Sequence, residues 1–225
     1  MYIIIVAAGS GQRFISDTPK QFLEIAGKLV IQHCIDAFDQ FEEVEGIVLV
    51  MPQNQDQWSD IKLTSKKPLL YTKGGNNRVL SVIHGLNVIE SEVQEDTWIL
   101  VHDSARPCIS KADIENLIDT VTENNHGGLL VKPVNDTIKF TESSVYSEKT
   151  IDRKELRAAL TPQMFPYAEL KDVLLNTDMA SITDEASAFE QVGYRPLLVH
   201  GRSDNIKLTY SEDLMLAEFL LRKNR

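Results

Sequence analysis

The chain has 225 residues, 43% of them hydrophobic, and its 23 Lys and Arg face 33 Asp and Glu for a formal net charge of −10. That length suits one α/β domain over 1–225 with a sizeable core, and the acidic balance argues against nonspecific binding to nucleic acid or an anionic membrane surface. No apolar run reaches membrane-span length, the N-terminal run lacks a signal peptide's basic flank and cleavage pattern, and Cys34 and Cys108 stand in no metal-site or disulfide-framework spacing, so a cytoplasmic protein is expected.

The chain opens on Tyr2-Ile3-Ile4-Ile5-Val6-Ala7, an uncharged run that reads as a strand buried on both faces. It empties into Gly9-Ser10-Gly11-Gln12-Arg13, followed by Pro19-Lys20-Gln21. Gly9 and Gly11 let backbone N–H groups approach an anion, and Arg13 and Lys20 add mobile positive charge, so a phosphate is expected here. The segment matches neither common phosphate motif: Phe14 replaces the third glycine of a dinucleotide fingerprint, and no Gly-Lys-Ser/Thr closes a Walker loop.

Further along, the pattern predicts helices near 30–41, 53–62, 77–90 and 110–124, alternating with strands at 46–51, near 69–72, at 97–102 and at 128–134. Strands and helices in alternation specify a doubly wound, mostly parallel sheet. From Asn135 the sequence turns polar and β-rich, as a hairpin arm over about 135–155 with too little apolar material for a core of its own, which implies a partner to pack on. Helices near 166–176 and 183–192, a strand at 195–200 and an amphipathic helix at 211–223 complete the chain.

Ligands of open parallel sheets bind beyond the carboxyl ends of the strands. There this acidic chain collects Arg13 and Lys20, then Gly74, Gly75 and Arg78, then Asp103 and Arg106, then Asp136, Thr137 and Lys139, and finally Asp204 and Lys207. Asp103 reads as a contact to a divalent cation or a ribose hydroxyl, or as a cap of the turn into Ser104-Ala105-Arg106-Pro107; His102 points to the other strand face and reads as structural. Ser181-Ile182-Thr183-Asp184-Glu185 reads as a helix N-cap with acids in the first turn. No nucleophile–base order stands out, so nucleophilic hydrolysis has little support.

Taken in order, Ala7-Ala8-Gly9-Ser10-Gly11-Gln12-Arg13, Pro19-Lys20-Gln21, Val101-His102-Asp103-Ser104-Ala105-Arg106-Pro107, Pro133-Val134-Asn135-Asp136-Thr137-Ile138-Lys139, Asp152-Arg153, Thr161-Pro162-Gln163 and Asp204-Asn205-Ile206-Lys207-Leu208-Thr209 resemble the motif set of the 2-C-methyl-D-erythritol 4-phosphate cytidylyltransferases. The resemblance implies a Rossmann-like nucleotidyltransferase fold with a protruding β-arm, and a magnesium-dependent transfer of the cytidylyl group of CTP to methylerythritol phosphate with release of pyrophosphate, a step of non-mevalonate isoprenoid biosynthesis. It assigns catalysis to Arg13, Lys20 and Lys207, and CTP binding to Ala7, Ala8, Gly9, Gly11, Gly75, Ser81 and Asp103. The polyol phosphate falls to Arg106, Thr137, Arg153, Thr161 and Lys207, with Arg153 carried into the partner subunit's site by a swapped arm of a homodimer. Magnesium, or another divalent cation, would be held by the CTP phosphates with at most a contribution from Asp103. Two rivals share the CTP loop: a ribitol 5-phosphate cytidylyltransferase, against which Ala7-Ala8-Gly9 and Thr161-Pro162-Gln163 speak, and a noncatalytic CTP-binding sensor, which would have no use for Lys207 and Arg153.

Overall fold

A computed structural model describes residues 1–9, 14, 18–54, 56 and 58–223. The first strand, β1 (Tyr2–Val6), is apolar on both sides: Ile3 and Ile5 enter one core cluster, Tyr2 and Ile4 the other. Each fully buried isoleucine there contributes roughly 2 kcal/mol by leaving water. A 3-10 turn (Lys20–Phe22) and a minimal hairpin, β2 (Glu24–Ile25) with β3 (Lys28–Leu29), lead into α1 (Val30–Phe38). There follow β4 (Gly46–Met51), β5 (Leu69–Lys73), α2 (Arg78–Val88), β6 (Trp98–Asp103), α3 (Lys111–Asn124) and β7 (Gly128–Pro133). The arm contains β8 (Ile138–Phe140) and β9 (Lys149–Ile151); then come β10 (Arg157–Pro166), α4 (Tyr167–Asn176), α5 (Glu185–Gln191), β11 (Leu197–His200) and α6 (Asp213–Lys223).

Seven strands form one sheet in the order β11-β7-β10-β6-β1-β4-β5, parallel at every pairing except those of β10. The expected mostly parallel α/β sheet is therefore present. From β1 the chain builds outward through β4 and β5, then returns to place β6 on the other side of β1. The order of strands reverses between β1 and β6, where the register sets Val6 beside Asp103, and this is the point at which a doubly wound sheet opens a crevice at its carboxyl edge.

Two segments depart from expectation. No α-helix is described between β4 and β5, where a helix was expected near 53–62. Instead Asn54 Oδ1 accepts the Asp56 amide at 3.1 Å, the Trp58 indole donates to the Pro52 carbonyl at 2.9 Å, and residues 58–60 form a turn. Side-chain bonds to local backbone compete with a helical ladder, and here they win. The second departure is β10, whose Arg157–Pro166 run was not recognised as a strand. Its register shifts between Ala159 and Gln163, and that irregularity accommodates Pro162, which cannot donate to a regular ladder.

The arm is a two-stranded antiparallel ribbon pairing Ile138 with Ile151 and Phe140 with Lys149. Residues 141–150 are exposed throughout, and Val145 and Tyr146 remain about three-quarters accessible.

Candidate active site

A cleft of about 610 Å³ opens beyond the carboxyl ends of β1 and β6. Ala8 and Gly9 enter it from the end of β1, Lys20 from the 3-10 turn, Gly75 and Ser81 from the start of α2, Asp103 from β6, and Lys207 from the loop before α6. Cations expected from distant stretches of sequence, Lys20 and Lys207, thus share one rim.

One wall is made of backbone and small side chains. A Cβ on Gly74 would lie 2.2 Å from that of Ala8, and one on Gly75 would lie 2.3 Å from that of Leu80, so only glycine lets β5 turn into α2 this close to β1. Asn77 caps α2 by accepting the Leu80 amide at 2.8 Å; Ser81 Oγ accepts the Gly75 amide at 3.1 Å and donates to the Asn77 carbonyl at 2.8 Å. Among the described residues nothing lies within 4 Å of a Cβ built on Gly9, which lines the cleft.

Three side-chain hydrogen bonds hold the Lys20-Gln21 part of the Pro19-Lys20-Gln21 motif in place. The buried Gln21 amide donates to the Ala7 carbonyl at 2.5 Å and to the Gly9 carbonyl at 3.3 Å, fixing the 3-10 turn to the end of β1. Lys20 Nζ donates to the Leu208 carbonyl at 2.6 Å, and the Leu208 amide donates to Ala105 at 2.8 Å, which ties the loop of Lys207 to the loop after β6.

At the floor stands Asp103, met by three cations: Lys207 Nζ lies 2.7 Å from Oδ2, Arg78 Nε 3.2 Å from Oδ1, and Arg106 Nε 4.0 Å from Oδ2. Burial alone would raise the Asp103 pKa, but the attraction of Arg78 and Lys207 prevails and holds the carboxyl far below the usual range, ionised at any working pH. Burial also pulls the Arg78 pKa down, and its two carboxylate partners, Glu185 and Asp103, more than reverse the effect. Arg106 donates from Nη1 to the Asn205 carbonyl at 2.8 Å, yet its buried Nε has no hydrogen-bond partner among the described residues. A buried guanidinium nitrogen without a close acceptor is costly, and the Asp103 carboxylate 4.0 Å away offsets part of that cost.

Behind Asp103 runs a fixed chain of hydrogen bonds. The Asp103 amide donates to Thr161 Oγ1 at 3.1 Å, and Thr161 Oγ1 lies 3.0 Å from His102 Nδ1, while His102 Nε2 lies 3.1 Å from the Arg106 carbonyl. The carbonyl can only accept, so Nε2 carries the proton and the Thr161 hydroxyl donates to Nδ1. Burial pushes the His102 pKa down to about 4, so the imidazole is neutral and structural, as its strand position predicted.

The remaining expected residues are spread around this centre. Ala7 is buried and offers its carbonyl to Gln21; Arg106 and Thr161 lie beneath Asp103, off the described cleft wall, with the Thr161 hydroxyl engaged on both sides. Thr137 and Arg153 are exposed at the base of the arm, where Arg153 Nη1 donates to the Asn135 carbonyl. Gly11 and Arg13 fall outside the described residues. Gln21 and Glu185 were absent from the expected site, and Arg78, counted among its strand-end cations, had been given no role there. Arg78 had a signal, following Gly74-Gly75 after a strand; Glu185 had only a capping context.

The cap itself is real but belongs to Asp184. Its carboxylate accepts the Ser187 amide at 2.9 Å, and the Ser187 hydroxyl accepts the Asp184 amide at 3.1 Å, a reciprocal box that leaves Glu185 turned inward.

Asp103 does not fit the expected contribution to a magnesium site. Both of its oxygens already meet cations, and no group of three or more His, Cys, Asp or Glu able to hold a metal occurs among the described residues. A dication brought to this carboxylate would displace Lys207 and face Arg78 and Arg106. Nor is any helix among the described residues long and apolar enough to cross a membrane.

A doubly wound sheet with a cation-rimmed cleft at its switch point, one wall built of glycine backbone, defines a nucleotidyltransferase-like protein. The comparisons narrow the class. The family model for 2-C-methyl-D-erythritol 4-phosphate cytidylyltransferase matches residues 1–223. The chain is 43% identical over 224 residues to the protein of that name from Haemophilus influenzae strain PittEE, covering 99% of this chain and 96% of that one. It is 43% identical over 223 residues to the namesake from Aliivibrio fischeri strain ATCC 700601 / ES114, covering 98% and 93%. Among solved structures, the Francisella tularensis 2-C-methyl-D-erythritol 4-phosphate cytidylyltransferase superposes with a TM-score of 0.84 at 31% identity, over 97% of this chain and 98% of that one. A 4-diphosphocytidyl-2C-methyl-D-erythritol synthase superposes with a TM-score of 0.81 at 32% identity, over 98% and 97%. The chain belongs to the 2-C-methyl-D-erythritol 4-phosphate cytidylyltransferase family, a family of nucleotidyltransferase enzymes.

Proposed function

We propose that the protein transfers the cytidylyl group of CTP to 2-C-methyl-D-erythritol 4-phosphate, in the cytoplasm, giving 4-diphosphocytidyl-2-C-methyl-D-erythritol and pyrophosphate for non-mevalonate isoprenoid synthesis. The observation that carries this reading is the meeting of Lys20 and Lys207 on one rim above a glycine-walled cleft in a molecule of net charge −10. In the transfer, a phosphate oxygen of the polyol forms a bond to the α-phosphorus while the bond from that phosphorus to the bridging oxygen breaks, and pyrophosphate leaves with the electron pair. The attacking oxygen is already anionic at neutral pH, so no general base is required, and rate comes from in-line placement and neutralised charge.

Each wall then has a task. Gly75 and Ser81 hold the base, Ala7, Ala8, Gly9 and Asp103 the ribose side, and Lys20, with Gly11 and Arg13 of the glycine loop, the triphosphate. Lys207 receives the polyol phosphate at the rim, Arg106 adds its positive charge from beneath Asp103, and Thr161 sets the depth of Asp103 from behind. Magnesium would be held by the CTP phosphates and would neutralise part of their charge, with Lys20 supplying the protein's own share. Thr137 and Arg153 act from the arm of a second subunit in a homodimer, where the exposed ribbon finds the packing surface a two-stranded hairpin needs.

The test is pyrophosphate release from magnesium-CTP with methylerythritol phosphate or ribitol 5-phosphate as acceptor. Faster release with methylerythritol phosphate is expected. Preference for ribitol 5-phosphate would overturn the acceptor, and no release with either would leave only a CTP-binding protein.

A further inference from the structure

Glu185 is a buried carboxylate, 1% exposed, that no step of the transfer uses. It takes both terminal nitrogens of Arg78, with Nη1 donating to Oε1 at 2.5 Å and Nη2 to Oε2 at 2.9 Å. Arg78 lines the cleft and touches Asp103 only through Nε, at 3.2 Å, on the oxygen that Lys207 does not use. A planar guanidinium presents its donors as a fork matched to one carboxylate, so the carboxylate that wins the fork is held in two places and the other in one.

The position of Glu185 is itself built. Gln163 Nε2 donates to Asp184 Oδ2 at 2.8 Å and Gln163 Oε1 accepts the Ala186 amide at 2.8 Å, so the start of α5 is bolted to β10 two residues beyond Thr161. The Thr161-Pro162-Gln163 motif thereby grips Asp103 with one end and the element carrying Glu185 with the other.

We infer that Glu185 is a positioning residue for the transfer site: by holding the fork of Arg78, it restricts that guanidinium to one Asp103 oxygen and reserves the other for Lys207. Without the Glu185 charge, the fork is free to rotate onto Asp103, its remaining carboxylate partner among the described residues, and Lys207 loses the anchor that fixes its ammonium at the rim. This deepens the proposed transfer and rests on the role given there to Lys207.

The experiment measures kcat and KM for each substrate by pyrophosphate release, with thermal melts, in Glu185→Gln and in the double variant Glu185→Gln/Arg78→Gln. Glu185→Gln, nearly isosteric, is expected to lower kcat/KM for methylerythritol phosphate about 30-fold or more, with the CTP KM within about threefold of the parent. The double variant, with no guanidinium to capture Asp103, is expected to regain at least about tenfold of that loss. A single variant impaired by less than about 30-fold, or a folded double variant that regains less than about tenfold, overturns the inference. If the single variant does not fold, the double, which leaves Asp103 with Lys207 and no buried carboxylate at 185, decides alone: activity within about tenfold of the parent supports the inference and a folded inactive protein overturns it. The proposed function fails separately, through absence of pyrophosphate release by the parent or through an undiminished Lys207→Ala variant.

Discussion

The cleft and the arm are opposite solutions to holding a charged side chain. At the cleft, Asp103 and Arg78 sit in layers of partners, and the backbone beneath them is pinned by Gln21, Thr161 and Asn205. On the arm, Thr137 and Arg153 stand on a ribbon exposed from 141 to 150, where short-range bonds such as Lys139 Nζ to Thr150 Oγ1 at 2.6 Å do most of the holding. Preorganised charge is what stabilises a transition state, and the cleft holds its charges in that way, whereas the arm, a two-stranded ribbon exposed along residues 141–150, has few such restraints of its own.

The largest effect that sharpens this contrast is expected at the rim. Lys207→Ala should cost on the order of 10²–10³ in kcat at an almost unchanged melting temperature, since Lys207 is partly exposed and its neighbour Asp103 retains Arg78. Full kcat in that variant would remove the rim from the mechanism.

The next concerns the frame behind the rim. The folded state keeps His102 neutral down to about 4, while an unfolded chain takes up that proton near the ordinary value of 6.5. The stability this group gives is therefore intact above about 6.5 and lost progressively as pH falls to about 4, by about 3 kcal/mol in all. Urea unfolding of the parent and of His102→Gln at pH 7 and pH 4 should show the parent losing about 3 kcal/mol more than the variant between the two. Equal losses would mean that His102 titrates normally.

A smaller effect is expected at the glycine wall. Gly74→Ala places a methyl 2.2 Å from the Ala8 Cβ and 3.0 Å from Ser81 Oγ, so α2 must retreat from β1. Its CTP KM should rise about tenfold, with a lesser change for the polyol phosphate. An unaltered CTP KM would detach that wall from the base.

The arm is broken by complementation. Lys20→Ala and Arg153→Ala, each weak alone, should on mixing regain about a quarter of parental activity, because half the dimers are mixed and each has one site with both residues intact. No recovery under conditions of subunit exchange would place Arg153 in its own chain's site.

Much of this was legible in the sequence because strand periodicity and glycine placement are local. The run Tyr2 to Val6 and the glycines after β5 mark the switch point without any knowledge of tertiary contacts. What stayed hidden was non-local. Arg157–Pro166 did not read as a strand because Pro162 interrupts it and its antiparallel place between β6 and β7 depends on both neighbours. The 53–62 stretch has helix-compatible residues, and only the bonds of Asn54 and Trp58 reveal that they are spent on turns. Glu185 reads as one more acid in a first helical turn; its partner lies 107 residues away.

The most direct test is a crystal structure of the protein with magnesium and CTP. The triphosphate should lie within about 3 Å of Lys20 Nζ, with the base against Gly75 and Ser81 and the metal held by phosphate oxygens with Asp103 still bound to Lys207. A triphosphate bound away from the Lys20–Lys207 rim, or a metal ion seated directly on Asp103, would contradict the claim that converging cations, rather than a protein-held metal, form this site.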